Sequence, residues 1–406
     1  MNSRIYLDHN ATTPVSGDVR DHILGWLDHW GNPSSIHDSG RGPKSLLREA
    51  REKIAALIGA NPLELIFTAG GSEANNLAIK GVFESFQNPE KLARSGVKFR
   101  NHYLFSEVEH PSVIKSAEYL KSRGAKVDFI PVKRSGEIDL DAYDRLLTDD
   151  TALVSIMIAN NETGHLFPIR ELAERAHAHG ALFHTDGVQA LGKIPVNVVD
   201  LDVDLASFAG HKFYSLKGAG VLYARRGVSL ENLIHGGGQE RHRRGGTENA
   251  LAIAALGLMA EKKNEIAAKG DEMRVLRDHF ELRVKSEIPF VKITGEFSPR
   301  LPNTSSLVIP GVDGEIMLMN LDIKGFSVST GAACSSGSPE PSPVLLAMGL
   351  SRQDAQSSLR LGLGWSTTRD QIDAFTDALV EVVEHLRGLS GFDALTGAAG
   401  SETYVR

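Results

Sequence analysis

The chain has 406 residues, with 44 lysines and arginines against 51 aspartates and glutamates and a formal net charge of −7. That length exceeds what one hydrophobic core usually serves, so two domains are expected, and the acidic balance argues for small-molecule chemistry and against a nucleic-acid or membrane partner. A single cysteine excludes an intrachain disulfide and a cysteine-rich metal site, and no metal is expected. The N-terminus carries no apolar signal stretch, and the longest apolar-plus-glycine run, Ala250 to Ala260, is far short of the ~20 residues that span a bilayer; the cytoplasm is the expected compartment.

In chain order, helical periodicity runs over Lys44 to Leu57, a strand over Leu65 to Phe67, a helix over Ala74 to Phe86 and a strand over Tyr103 to Phe105. A helix at Val113 to Ser122 and strands at Val127 to Ile130 and Leu153 to Met157 follow, then a helix at Ile169 to His179. Strands at Leu182 to Thr185, Leu205 to Phe208 and Gly220 to Tyr223 lead to a helix over Ala250 to Ala267. Such alternation predicts an α/β protein with a mostly parallel sheet covered on both faces. After about residue 262 the character changes to a charged helix through Arg274 to Ser286, a strand around Ser306 to Ile309, a helix near Gly314 to Leu321 and a last helix from Arg369 to Leu386. A large domain over residues 15–262 and a smaller α+β domain made of 1–14 and 263–406 are expected, with the last ~15 residues a loosely held tail.

Ligands of open α/β sheets bind at the carboxyl ends of the strands. Asp186 closes one apolar strand, Gln189 stands three residues on, and Lys212 follows the next strand. An aldehyde cofactor with a pyridine ring needs those groups: Asp186 to keep the ring nitrogen protonated, Gln189 to donate to the phenolic oxygen, and Lys212 as the amine for the aldehyde. Each alone has a plainer explanation, as a helix cap, a buried amide satisfying backbone, or a surface amine. Upstream, Gly70-Gly71-Ser72 follows a strand and opens a helix, which leaves backbone N–H groups for a phosphate. His110 also follows a strand and could stack on the pyridine ring and move protons. The sole cysteine, Cys334, lies in a run from Ser327 to Pro341 rich in glycine, proline and hydroxyl residues, which predicts a mobile loop and a thiol reachable by other molecules.

From Tyr6-Leu7-Asp8-His9-Asn10-Ala11-Thr12-Thr13-Pro14 through Gly31-Asn32-Pro33-Ser34-Ser35, Asn160-Asn161-Glu162-Thr163-Gly164, Gly236-Gly237-Gly238-Gln239-Glu240 and Arg244-Gly245-Gly246-Thr247 to Ser358-Leu359-Arg360-Leu361-Gly362-Leu363-Gly364, nearly the whole chain resembles a cysteine desulfurase. The likeness is to the first class of that family, the nitrogen-fixation and iron–sulfur-assembly type, among the class-V aminotransferases of the fold-type I pyridoxal-phosphate enzymes. The resemblance implies pyridoxal 5'-phosphate as cofactor, with Lys212, His110, Asp186 and Gln189 in the roles named above. It implies phosphate contacts from Gly71, Ser72 and His211, and from Thr247 to the phosphate of a neighbouring subunit, hence a homodimer with shared sites. Asn161 is implied beside cofactor and substrate, and Arg360 as the fork that clamps the substrate carboxylate.

The loop at about 327–342 resembles the family's extended catalytic loop, so Cys334 is the expected nucleophile that takes sulfur from L-cysteine, leaves L-alanine, and passes the sulfur to an acceptor. That acceptor would be an iron–sulfur scaffold or a tRNA-thiolation protein. Rival readings are a selenocysteine lyase, a dimeric sulfur-carrier scaffold with little turnover, and an aminotransferase or desulfinase, the last two giving no reason for a cysteine in this loop. The chain departs from the family pattern at Ala209, where a serine is common, at Ser72 in place of threonine, and at Ser215-Leu216 in place of glycine–proline.

Overall fold

The computed structural model describes residues 4–95, 98–331, 340–393 and 398–399. Twelve strands matter here: β1 (Ile5–Tyr6), β2 (Leu65–Thr68), β3 (His102–Ser106), β4 (Lys126–Ile130), β5 (Thr151–Ser155), β6 (Leu182–Asp186), β7 (Leu205–Ala209), β8 (Gly220–Ala224), β9 (Lys292–Ile293), β10 (Thr304–Val308), β11 (Phe326–Ser327) and β12 (Ser358–Gly362). Seven of them form one sheet in the order β2-β8-β7-β6-β5-β3-β4. From β4 to β7 all neighbours are parallel, and β8 lies antiparallel between β7 and β2.

Strands β2, β3, β5, β7 and β8 are buried along their whole length. Their near-continuous apolar runs, with few alternating polar positions, follow from helices covering both faces. One core joins Leu47, Ala50 and Ile54 of helix Arg41–Ile58 to Ile253 and Leu256 of helix Ala250–Ala260. The other packs Leu77 and Val82 of helix Gly71–Phe86 with Val113 and Leu120 of helix Pro111–Ser122.

A third core stands apart, built from Leu7, Phe280, Leu307, Met317, Leu361 and Phe375. Its frame is the antiparallel sheet β12-β10-β9 with helices Ile266–Glu287, Gly314–Ile323 and Arg369–Ser390. The start of the chain joins this unit because β1 pairs parallel with β11. Two expected elements end early. The helix expected over Ala250 to Ala267 stops at Ala260, and a tight turn, Glu261–Asn264, separates it from the next helix. Lys262-Lys263-Asn264-Glu265 offers no apolar residue to bury, and the apolar Ile266-Ala267 beyond it belongs to the second helix. Strand β5 ends at Ser155; Met157 instead gives its N–H to Glu109. Helix Gly17–Leu27, which periodicity does not announce, buries only Val19.

Among the described residues no helix is long and apolar enough to cross a membrane. Cys334 and the tail at 400–406 lie outside the described residues.

Candidate active site

Helix Gly71–Phe86 starts without a side-chain cap at Gly70, so the N–H groups of its first turn are offered to an anion. A Cβ added at Gly71 would stand 2.7 Å from Val188 Cγ2 and 3.5 Å from Ala209 Cβ. Glycine therefore lets the helix start close onto the turn after Asp186 and onto the end of β7. Ser72 is exposed at this start. Glu73, next in line, takes the N–H of Ala69 at 2.9 Å and holds Arg244 in a two-point fork at 2.9 and 3.2 Å. Exposed Thr247 follows three residues beyond that fork. His211 shares a hydrogen bond of 3.1 Å between Nδ1 and Thr12 Oγ1, and is pushed down to about 4, first by burial and then by the charges of Lys212, Lys217 and Lys193.

Asp186 is buried at the carboxyl end of β6. Its Oδ1 accepts from Val188 N at 2.9 Å and its Oδ2 from Asn75 Nδ2 at 2.7 Å. Asn75 gives a second N–H to Ser112 Oγ at 2.9 Å, and that hydroxyl lies 2.8 Å from His110 Nδ1. Because His110 Nδ1 also accepts the N–H of Ser112 at 3.1 Å, capping helix Pro111–Ser122, the proton of a neutral ring sits on Nε2. Burial lowers the His110 pKa, nearby Lys212 lowers it further, and Asp186 opposes them. Three residues nominated from sequence thus share one electrostatic neighbourhood. Glu109, behind them, is pushed up to about 8 by burial and by Asp186, against hydrogen bonds from Ser106 and Met157. Lys212 sits in the tight turn Gly210–Lys212 directly after β7.

Gln189, also buried, gives Nε2 to the carbonyl of Asn10 at 2.9 Å, and its Oε1 accepts from Lys193. Asn10 in turn binds Thr304 Oγ1 and the carbonyl of Asn161 through Nδ2, at 2.9 and 3.3 Å. Arg360 is 2 % exposed on β12. Its Nη2 meets Asp8 Oδ1 at 2.8 Å and its Nη1 meets the carbonyl of Asn161 at 3.0 Å, while Nε is buried with no partner among the described residues. The described flanks of the cysteine segment end beside this arginine. Ser329 exchanges both backbone hydrogen bonds with Arg360, and Ser342 donates to the buried carboxyl of Glu162, next to Asn161. Burial pushes Glu162 up to about 7, with Ser342 and Arg360 pulling it down.

The Aminotransferase class-V family matches residues 5–375. A cysteine desulfurase of Nostoc sp. is 43% identical over 394 residues, covering 96% of this chain and 95% of that protein. Cysteine desulfurase IscS of Dictyoglomus turgidum is 42% identical over 394 residues, covering 97% and 98%. A solved NifS-like protein from Rickettsia africae superposes with a TM-score of 0.83 at 34% identity, over 94% of this chain and 99% of its own. This chain belongs to the class-V aminotransferase family.

In this class-V aminotransferase the groups present fit pyridoxal phosphate, the cofactor expected from the sequence. The uncapped helix start suits a phosphate, and Asp186 is a buried acceptor facing a neighbourhood of donors. Gln189 Nε2 has a second N–H beyond the one given to Asn10. The buried, unpartnered Nε of Arg360 awaits an acceptor, which a substrate carboxylate would supply.

Sequence reasoning named Asp186, Gln189, His110 and Arg360 but passed over the partners that hold them: Asn75 for Asp186, Ser112 for His110, Asn10 and Lys193 for Gln189, and Asp8 for Arg360. Asn75 carried one usable signal: it sits one helical turn inside the glycine start, on the buried face. Asn10 and Asp8 become visible only through partners far away in the chain.

Proposed function

We propose that this protein is a pyridoxal-phosphate-dependent cysteine desulfurase that converts L-cysteine to L-alanine and carries the released sulfur as a persulfide on Cys334. The observation that carries the reading is the hydrogen-bonded chain from Asp186 through Asn75 and Ser112 to His110, set between a phosphate-ready helix start and Lys212. Gly71, Ser72 and His211 would hold the phosphate, Asp186 the ring nitrogen, Gln189 the phenolic oxygen, and His110 the ring face.

Bound pyridoxal phosphate supplies an electron sink for a carbon that gives up its proton. Lys212 Nζ moves that proton from the substrate's Cα and returns it. Arg360 orients the substrate carboxylate through Nε and its remaining N–H groups, with Asn161 beside it. His110, neutral and protonated on Nε2, serves the thiol. Cys334 Sγ, as a thiolate, attacks the substrate sulfur; an S–S bond forms as the C–S bond breaks, the electron pair of that bond passes to the substrate's Cβ, and Cβ takes up the equivalent of the proton lost from the thiol, leaving the methyl of alanine and a persulfide on Cys334. The flanks of the cysteine segment support this role, since they meet Glu162 and Arg360 beside the substrate clamp.

The acceptor is an iron–sulfur scaffold or a tRNA-thiolation protein, and the lone thiol suits the reducing cytoplasm. A homodimer with Thr247 serving the neighbouring subunit is supported by Leu24, Trp30 and Ile36, which are 73, 80 and 98% exposed within one short stretch. We read residues 15–262 as a large domain and 1–14 with 263–406 as a small one, since the third core draws on Leu7 and on residues after 262. The test is an absorbance spectrum of the purified protein before and after adding cysteine. A yellow band that shifts, with alanine and sulfide formed under reductant and lost in Cys334→Ala, is expected; full alanine production by Cys334→Ala would overturn the reading.

A further inference from the structure

Lys193 lies in the turn after Asp186, 4% exposed, and among the described residues no carboxylate pairs with it. Its Nζ instead meets two amide oxygens, Gln189 Oε1 and, at 3.4 Å, Asn10 Oδ1. A buried amine with no counter-ion is costly to keep, so a lysine here asks for a reason beyond packing.

We propose that Lys193 is a positioning residue that locks the Gln189 carboxamide in the one rotation that turns an N–H toward the phenolic oxygen of the cofactor. The inference rests on the reading of Gln189 as the donor to that oxygen.

A carboxamide has two nearly isosteric rotations, and its neighbours decide between them. On one side of Gln189 stands the carbonyl of Asn10, which can only accept, 2.9 Å from Nε2. On the other stands Lys193, which donates to Oε1. Rotating the amide would set oxygen against oxygen and NH2 against the amine. Asn10 cannot rotate to compensate. Its Nδ2 is committed to Thr304 Oγ1 and the Asn161 carbonyl, and its Oδ1 receives Asn303 Nδ2 at 3.0 Å. Burial, with the charges of Lys212 and Arg360 and against that of Asp8, lowers the Lys193 pKa well below the ordinary lysine value. Its N–H donors face two amide oxygens, Gln189 Oε1 and Asn10 Oδ1. Methionine would fill the same space and leave Gln189 restrained from one side only.

The test compares holoenzyme variants Lys193→Met, Lys193→Gln and Gln189→Leu, and the double variant K193M/Q189L. Two readouts apart from turnover are taken: the dissociation constant for pyridoxal phosphate added back to resolved protein, and the pH midpoint of the bound cofactor's absorbance change. Q189L is expected to weaken cofactor binding about tenfold, the worth of one buried hydrogen bond, and to raise the midpoint, because an oxygen that loses a donor holds a shared proton more tightly. K193M is expected to move both readouts in the same direction and to add nothing in the Q189L background. K193Q, which keeps an N–H donor, is expected within about twofold of the parent. Effects of K193M that add in full to those of Q189L, an unchanged K193M, or a K193Q as impaired as K193M would each overturn the proposal. An unchanged Q189L would instead remove the reading of Gln189 on which it stands.

Discussion

On the proposed reading, Arg360 is the side chain that would orient the substrate carboxylate. Two of its N–H groups are spent on Asp8 and the Asn161 carbonyl, and Nε has no partner among the described residues. Arg360→Lys keeps the charge and loses the planar fork, so KM for cysteine is expected to rise about tenfold or more with cofactor affinity little changed. An unchanged KM would show that the carboxylate is held elsewhere. Asn75→Ala removes one donor to Asp186 and one to Ser112, and weaker cofactor retention is expected, about tenfold by titration. Asp186 and Lys212 were legible in the sequence because they stand at the carboxyl ends of consecutive apolar strands, where a parallel sheet collects its ligands. Asn75 was not, since its role appears only beside a carboxylate 111 residues away.

The start of helix Gly71–Phe86 shows how closely a secondary-structure boundary can be tied to a site. Position 209, at the end of β7, puts its Cβ 3.5 Å from where a Gly71 side chain would begin. Ala209→Ser would bring a hydroxyl to the phosphate end, and slower loss of cofactor on dialysis is expected, several-fold by absorbance. A faster loss would mean that the buried hydroxyl finds no partner. Gly71→Ala places a methyl 2.7 Å from Val188, and overpacking of about 1–3 kcal/mol should appear as a lower denaturation midpoint together with weakened cofactor binding. The strands of the large sheet were readable from their apolar runs, whereas helices Gly17–Leu27 and Leu140–Leu146 were not. The break at Glu261–Asn264 was not, because Ile266 and Ala267 extend the apolar pattern across it.

Across the molecule, buried ionisable groups set the response to acid. His9, His165, His184 and His211 are each pushed down to about 4, with burial the first cause in all four. The unfolded chain takes up these protons near 6.5 and the folded one refuses them until about 4, so stability is lost as pH falls through that window. Glu109 and Glu162, raised to about 8 and about 7, act the other way between about 4.5 and 6.5, where the histidines outnumber them. The urea midpoint is therefore expected to be lower at about pH 5 than at pH 6.5; a higher one would contradict the assignment of these rings as neutral.

The ion pair of Asp8 with Arg360 joins residues 352 positions apart, and β1 waits for β11. A ribosome delivers β2 through β8 long before it delivers Arg360. The proposed cofactor cradle can thus assemble on the nascent chain before the proposed substrate clamp has its arginine, and the Asp8–Arg360 pair closes only once residue 360 has been made.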